Sequence, residues 1–335
     1  MIPHDPASAG FLYQGIYMNE IFLERSKKYK KALKDENIQD LWAGLLLKKI
    51  IPNQQSLNRV IASVVNYIND SLNYTSMDPL DLRIQDRVKL LDSMASVVHK
   101  LPNLTPNGAL YTKKELVNSY NQMCSSVVDY VNVDKLGIDL IAPPTVRIKT
   151  SKVPNNVSSR KTYTGIPHSD AWVGHHGSGV ISMIVIGDVD KLGVSFYEPI
   201  EPNENYLTNV GDFNIGNETY KEKRFITSMT LGDIFLFDHA VLHKTNVDCS
   251  GEKDYVRVSI DMAYKIDKDA EEKGISMQKA DLSRFKYLSK KDFKLLGKEK
   301  FVVSPNSIFD DSVKNQKAGA FLPSSNLFVF KEDII

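Results

Sequence analysis

The chain has 335 residues, 42% of them hydrophobic, which is enough for a substantial core in one large domain or one and a half. A formal net charge of +1 leaves no basic face for electrostatic capture of nucleic acid. No stretch reaches the roughly 18 apolar residues of a membrane span, and Met1 to Gly10 lacks the apolar centre of a signal peptide, so a cytoplasmic protein with a small-molecule partner is expected.

Helical periodicity dominates residues 1–140. Two short helices are expected near Ile16 to Leu33 and Asp40 to Ile51. Asn53 opens a longer segment in which Leu57, Val60, Ile61, Val64, Val65, Ile68 and Leu72 share one face. Asp81 is placed to cap a helix carrying Ile84, Val88, Leu91, Met94 and Val98. Thr112 and Glu115 form a capping box ahead of the stripe Leu116, Val117, Tyr120, Met123, Cys124, Val127, Val128 and Val131. These helices are expected to buttress a β-core. Cys124 and Cys249 fall on segments of different kind and read either as a disulfide pair or, the reading favoured, as buried or inert thiols in a reducing compartment.

Pro143-Pro144 then changes the pattern. From Thr145 to about Lys265 the chain is a series of short apolar runs punctuated by Gly, Pro, Asn and Asp: Thr145 to Lys149, Val180 to Ile186, Val194 to Tyr197, Ile234 to Phe237 and Val256 to Tyr264. Such runs predict an α+β protein whose 141–265 core is a sandwich or barrel, with a jelly roll as the natural candidate. Lys161 to Ile166, rich in Tyr and Thr, reads as a further strand. The polar segment Asn203 to Phe225 reads as a long insert, either an active-site lid or a surface loop. Residues 266–335 read as one helix, Asp281 to Leu296, and a loop-rich tail ending in Leu327-Phe328-Val329-Phe330.

The chemistry-bearing residues lie in the core. His168-Ser169-Asp170 is an H-x-D tripeptide, and on a strand both side chains leave one face because the period is two. A second histidine follows Ile234 to Phe237, at His239 or at His243. Two histidines and one carboxylate suit a metal held on one side and open on the other. Beyond them, Tyr255 to Asp261 alternates as a strand with Arg257, Ser259 and Asp261 on one face. A guanidinium there is placed to grip a carboxylate through two hydrogen bonds, with Ser259 donating a third. Arg147, on the strand that opens the core, reads equally as a surface cation or a pocket residue. Trp172 suits either a pocket wall or packing beneath a turn. His175 and His176 read as loop residues, His99 as a helix-end residue and His4 as part of a frayed terminus.

His168-Ser169-Asp170-Ala171-Trp172-Val173-Gly174, His243-Lys244-Thr245 and Arg257-Val258-Ser259 together resemble the core of iron(II)- and 2-oxoglutarate-dependent dioxygenases. The similarity is to the phytanoyl-CoA-hydroxylase-like branch and, within it, to a subgroup of natural-product pathways. It covers about Thr145 to Tyr264, over a third of the chain. The resemblance implies a double-stranded β-helix (jelly-roll or cupin-like) core, with Fe(II) on His168, Asp170 and His243. It also implies 2-oxoglutarate on Arg257 and Ser259, O₂ as the oxidant, and His239 left as a pocket residue. The implied activity is oxidation of a C–H bond in a small, amino-acid-derived metabolite, by hydroxylation or alternatively by desaturation or oxidative cyclisation of the kainoid type. Asp170 stands where related halogenases carry a small residue, which argues against halogenation. A cupin-like metalloenzyme that makes no use of 2-oxoglutarate is the rival, and it has no need of Arg257.

Overall fold

The structure is a computed structural model describing parts of 20–33 and 119–131, together with 38–51, 53–72, 140–141, 145–151, 159–173, 179–247, 255–265 and the short segments 288–289, 320–322 and 327–329. His4, His99, His175, His176, both cysteines, the Thr112–Glu115 capping box and the helix expected after Asp81 lie outside the described residues. Among the described residues no helix is long and apolar enough to cross a membrane.

Two antiparallel sheets make up the core. The larger follows the order β1 (Ile38–Trp42), β2 (Leu47–Ile50), β8 (Ile234–Asp238), β5 (Gly179–Gly187), β10 (Val256–Lys265), β3 (Leu140–Ile141) and β11 (Leu288–Ser289), with β4 (Thr145–Thr150) also paired to β10. The smaller has β7 (Glu222–Ser228), β6 (Val194–Ile200) and β9 (Leu242–Thr245). A separate hairpin joins β12 (Ala320–Leu322) to β13 (Leu327–Val329). The two main sheets meet through aromatic packing: the Phe196 ring of β6 lies 5.1 Å from Phe235 and 5.2 Å from Phe237, both on β8.

β10 sits at the centre of the larger sheet because both of its faces are covered. Val256, Val258, Ile260, Met262 and Tyr264 are buried on one side, Arg257 and Ser259 on the other. Register fixes the second face as a row across three strands. Arg257 faces Lys149 on β4 and Gly187 on β5, Ser259 faces Arg147 and Val185, and Asp261 faces Thr145 and Met183.

The long helix forms where its apolar stripe and cap predict. α1 (Gln54–Leu72) begins with the Asn53 side chain accepting from the amides of Gln55 and Ser56. Leu57, Val60, Ile61, Val64, Val65 and Ile68 are buried. Residues 22–27 are helical, in line with the expected first helix, and Met123, Val127 and Val131 are buried in helical segments of 119–131. The Ser63 hydroxyl of α1 shares a hydrogen bond with Ser126.

Three expectations fail. Asp40 to Ile51 is the hairpin β1–β2 rather than a helix, and β2 pairs with β8 from Leu47↔Phe237 to Ile50↔Ile234. The run Leu45-Leu46-Leu47 satisfies either period, and the exposed edge of β8 decides for strand. Lys161 to Ile166 is a series of turns, tied down by Phe213 N–H donating to Lys161 O and Thr245 N–H to Thr164 O. Leu288–Ser289, inside the expected C-terminal helix, pairs with β3. The 203–225 insert is also more ordered than a lid or loop requires: it carries a short helical turn at Phe213–Gly216 and the first residues of β7.

One buried ion pair ties the N-terminal helical segment to the core. Arg25 donates through Nε and Nη2 to the two carboxylate oxygens of Asp238 at 2.9 and 2.7 Å, with both side chains almost fully buried. Asp238 also accepts from Ala240 N–H at 2.8 Å, so the same carboxylate shapes the turn from β8 into β9. Arg25→Met leaves that carboxylate buried without its cation and is expected to cost about 3–5 kcal/mol of unfolding free energy in urea. The double variant Arg25→Met/Asp238→Leu is expected to recover most of the loss, because no lone charge remains.

Candidate metal centre and anion pocket

His243 lies on β9 opposite Phe196 of β6, and its other edge is taken by His168. His168 N–H donates to His243 O at 2.8 Å and His243 N–H to His168 O at 2.9 Å. Such a reciprocal pair sets two residues directly opposite with side chains on one face. The two imidazole centroids are 4.3 Å apart. His168 therefore joins the small sheet as an isolated rung, and Asp170 opens the 3₁₀ turn Asp170–Val173. The continuous strand expected for the H-x-D pair from its sequence context is therefore not formed. A tight turn brings the two side chains together instead. Ser169 donates its hydroxyl to His239 O at 3.1 Å, and Ala171 N–H donates to the same carbonyl at 3.1 Å.

His168, Asp170 and His243 each present one ligand atom within 4.8 Å of the others. His168 Nδ1 lies 2.9 Å from Ile166 O, and His243 Nδ1 lies 2.9 Å from Val241 O. A carbonyl only accepts, so each Nδ1 carries the proton and each Nε2 is left with its lone pair. Burial, and then the neighbouring His243, push the His168 imidazole down to about 3, so it stays neutral at any ordinary pH. Phe213 stacks on His168 at 4.3 Å, and Phe237 packs edge-on against His243 at 5.4 Å.

His239 is not in this cluster. Its side chain is buried, and its contribution to the centre is the backbone carbonyl that fixes Ser169 and Ala171. Of the two histidines after β8, the fold brings His243 to His168 and Asp170.

Arg257 is 2% exposed, yet only Nη2 has a partner, a long 3.5 Å contact to Ser259 Oγ. Among the described residues its Nε and Nη1 find no hydrogen-bond partner. Burial lowers its guanidinium to about 10, against the pull of Asp261. A buried guanidinium with two unsatisfied donors is costly unless an anion completes it. Arg147, half-exposed, pairs with Asp261 through Nε at 2.9 Å. Burial raises the Asp261 carboxyl, against both arginines, and its Oδ1 has no partner.

Sequence reasoning missed the brace behind the centre. Trp172 is fully buried, its indole N–H donates to Tyr206 O at 2.7 Å, and its carbonyl accepts from Val210 and Gly211. Tyr206 in turn donates its hydroxyl to Ala240 O at 2.9 Å, and Asn217 Nδ2 donates to Pro167 O at 2.7 Å. The 203–217 segment thereby bonds to the flanks of both histidines. Of the two roles open to Trp172, the geometry shows packing. The recoverable signal was four aromatic residues, Trp172, Tyr206, Phe213 and Tyr220, in an otherwise polar context.

No protein-family model and no curated protein matches the chain. Among solved structures it is similar to AviO1 from Streptomyces viridochromogenes Tue57, at 13% identity over 74% of this chain and 97% of that one, with a TM-score of 0.33. The non-heme alpha ketoglutarate dependent carbocyclase SnoK of nogalamycin biosynthesis aligns at 11% identity over 68% and 93% of the two chains, TM-score 0.31. The epimerase SnoN of the same biosynthesis aligns at 11% over 78% and 86%, TM-score 0.27. At such identities and scores the chemistry rests on the side chains themselves.

Gly216 shows how tightly the brace is packed. A Cβ there would lie 2.2 Å from the Trp172 ring. Gly216→Ala is expected to destabilise the protein by about 1–3 kcal/mol through overpacking. Chemical denaturation followed by tryptophan fluorescence measures it.

Proposed function

We propose that the chain is an Fe(II)- and 2-oxoglutarate-dependent oxygenase with a double-stranded β-helix core, of the phytanoyl-CoA-hydroxylase-like branch. The reading takes its substrate to be a small amino-acid-derived metabolite and its reaction to be hydroxylation. The observation that carries it is a conjunction. Two buried histidines, each held through Nδ1 by a backbone carbonyl so that Nε2 is the ligating nitrogen, converge with one carboxylate within 4.8 Å, while on the adjacent sheet face a buried arginine has two donors without partners among the described residues. The donor set fits iron: two neutral imidazoles and one carboxylate are the facial arrangement that leaves positions open. The orphaned Nε and Nη1 of Arg257 fit a carboxylate held in bidentate fashion. A metalloenzyme without a keto-acid co-substrate would have no use for such an arginine.

In this reading His168, Asp170 and His243 hold the metal. Arg257 and Ser259 orient the distal carboxylate of 2-oxoglutarate. Bound iron supplies O₂ activation coupled to conversion of 2-oxoglutarate to succinate and CO₂, and so the oxidising power for a C–H bond. Phe213, Phe196 and Phe237 exclude water from the histidine rings, and the Ile166 and Val241 carbonyls keep both imidazoles in the ligating tautomer. The Arg147–Asp261 pair, with one face half-exposed and Asp261 Oδ1 unused, offers both signs of charge to a zwitterionic substrate.

His168→Ala and His243→Ala are expected to abolish tight Fe(II) binding, and His239→Ala to retain one equivalent, measured anaerobically by metal stoichiometry. Loss of iron by His239→Ala with retention by His243→Ala would reverse the ligand assignment. Arg257→Leu is expected to keep iron while weakening 2-oxoglutarate binding by about 2–5 kcal/mol, roughly 30-fold or more. The weak visible charge-transfer absorption of the anaerobic ternary complex reads it, and an unchanged titration would remove Arg257 from this role.

A further inference from the structure

Lys149 stands directly opposite Arg257 in the β4–β10 pairing, so the two side chains leave the same face of neighbouring strands. Like charges in directly opposed positions destabilise a sheet. This pair is also partly shielded from water: Arg257 is buried and Lys149 is half-buried. Among the described residues no carboxylate lies within ion-pair distance of the Lys149 ammonium. The nearest acid of the row, Asp261, bonds Arg147 instead. Gly187, on the other side of Arg257, contributes no side chain to the row, and its φ of +100° favours glycine there. Among the described residues, two cations thus stand side by side on an inner face with no carboxylate placed between them.

We infer that Lys149 and Arg257 form a two-cation clamp that closes on a single carboxylate, the distal one of the dicarboxylate co-substrate, with Lys149 as its second binding residue. This rests on the oxygenase reading for the identity of the co-substrate and on the strand register for the place of Lys149. An anion between the two heads turns their repulsion into attraction, supplies the missing partners of Arg257 Nε and Nη1, and pairs Lys149. The clamp also discriminates. A monocarboxylate keto acid, with no distal charge, leaves both cations unpaired and is rejected more strongly than a lone arginine would reject it.

The charges facing Lys149 are Arg257 and Asp261 from β10, Arg147 from its own strand and Arg160 from the turn segment before His168. Burial first, then Arg257 and Arg147, lower the ammonium to about 8, with Asp261 opposing and Arg160 adding. The clamp is therefore complete below about pH 8 and loses one cation above it. Anion binding should therefore weaken between pH 7 and 9.5, and should take up a proton within that window.

The test is anaerobic calorimetry of 2-oxoglutarate binding to the Mn(II)-loaded protein, with thermal shift of metal-free protein by glutarate as a readout independent of the metal. Lys149→Met is expected to bind 2-oxoglutarate roughly tenfold more weakly at pH 7. It should also lose the decline toward pH 9.5, and Lys149→Arg should bind like the wild type with no such decline. Without ligand, Lys149→Met should melt no lower than the wild type, since it removes a like-charge contact; a merely structural lysine would lower the melting temperature. Lys149→Met isotherms that superpose on the wild type while Arg257→Leu binds weakly would overturn the clamp and leave the oxygenase reading standing. Unimpaired binding by Arg257→Leu would sink that reading and the clamp with it. Should Lys149→Met fail to fold, Lys149→Gln carries the same comparison, and misfolding of both would mark Lys149 as structural and overturn the clamp.

Discussion

Two backbone hydrogen bonds, His168 to His243 at 2.8 Å and the reverse at 2.9 Å, hold the whole centre in register. They act where, among the described residues, β9 has one full strand neighbour, β6, and they convert a turn-rich segment into a rung of the sheet. Everything else follows from that rung. The imidazoles come together because residues opposite each other in a hydrogen-bonded antiparallel pair share a face. Asp170 follows because the next turn is bonded to His239 O, one turn upstream of His243 on the same continuous chain. The buried Arg25–Asp238 pair matters for the same reason: it fixes the β8–β9 turn from which His239 and His243 depart.

The inner face of the larger sheet bears an unusual electrostatic load for a protein interior. Arg147, Lys149 and Arg257 face two carboxylates, Asp261 on the same face and Asp170 beyond it. Desolvation is the largest cause that lowers the affinity of Lys149 and Arg257 for their protons and raises that of Asp261 for its own, with neighbouring like charges adding to it. A fold under selection for stability alone would fill these positions with Val or Ile, as it does at Val256, Val258 and Ile260 on the other face of the same strand. Replacing buried ions by well-packed apolar residues is commonly neutral or stabilising. The unspent donors are therefore better understood as a ligand's half of a set of interactions than as part of the fold's own.

The parts of this protein that were legible in its sequence are those whose partners are near in sequence or whose pattern is long. α1 announced itself through a capped, evenly spaced stripe, and β5, β8 and β10 through long apolar runs. Arg257, Ser259 and Asp261 alternated visibly within one strand. The failures share a cause. Whether Leu47 to Ile50 is helix or strand depends on the free edge of β8, nearly two hundred residues away. Leu288–Ser289 depends on β3, and the turns at 161–166 on contacts from Phe213 and Thr245. Local propensity has no access to such partners. The Trp172–Tyr206–Ala240 chain was illegible for the same reason, since it is written in backbone carbonyls, which every residue possesses.

That distinction also explains why the candidate site was more legible than the fold around it. Metal-ligating and anion-binding chemistry needs particular side chains, and the candidates His168, Asp170, His243 and Arg257 are scarce residue types in this arrangement. The scaffold needs only that carbonyls and amides be paired, so its sequence is loosely determined. The orienting layer falls between the two. Ile166 O, Val241 O and His239 O select the histidine tautomers and shape the turn without any requirement on their side chains. Substitution at 166 or 241 can therefore leave the centre intact as long as the backbone path holds. A change in that path, by contrast, would separate the two imidazoles with all three candidate ligands still present in the sequence. The geometry of the centre is thus a property of the backbone rung as much as of the residues it displays.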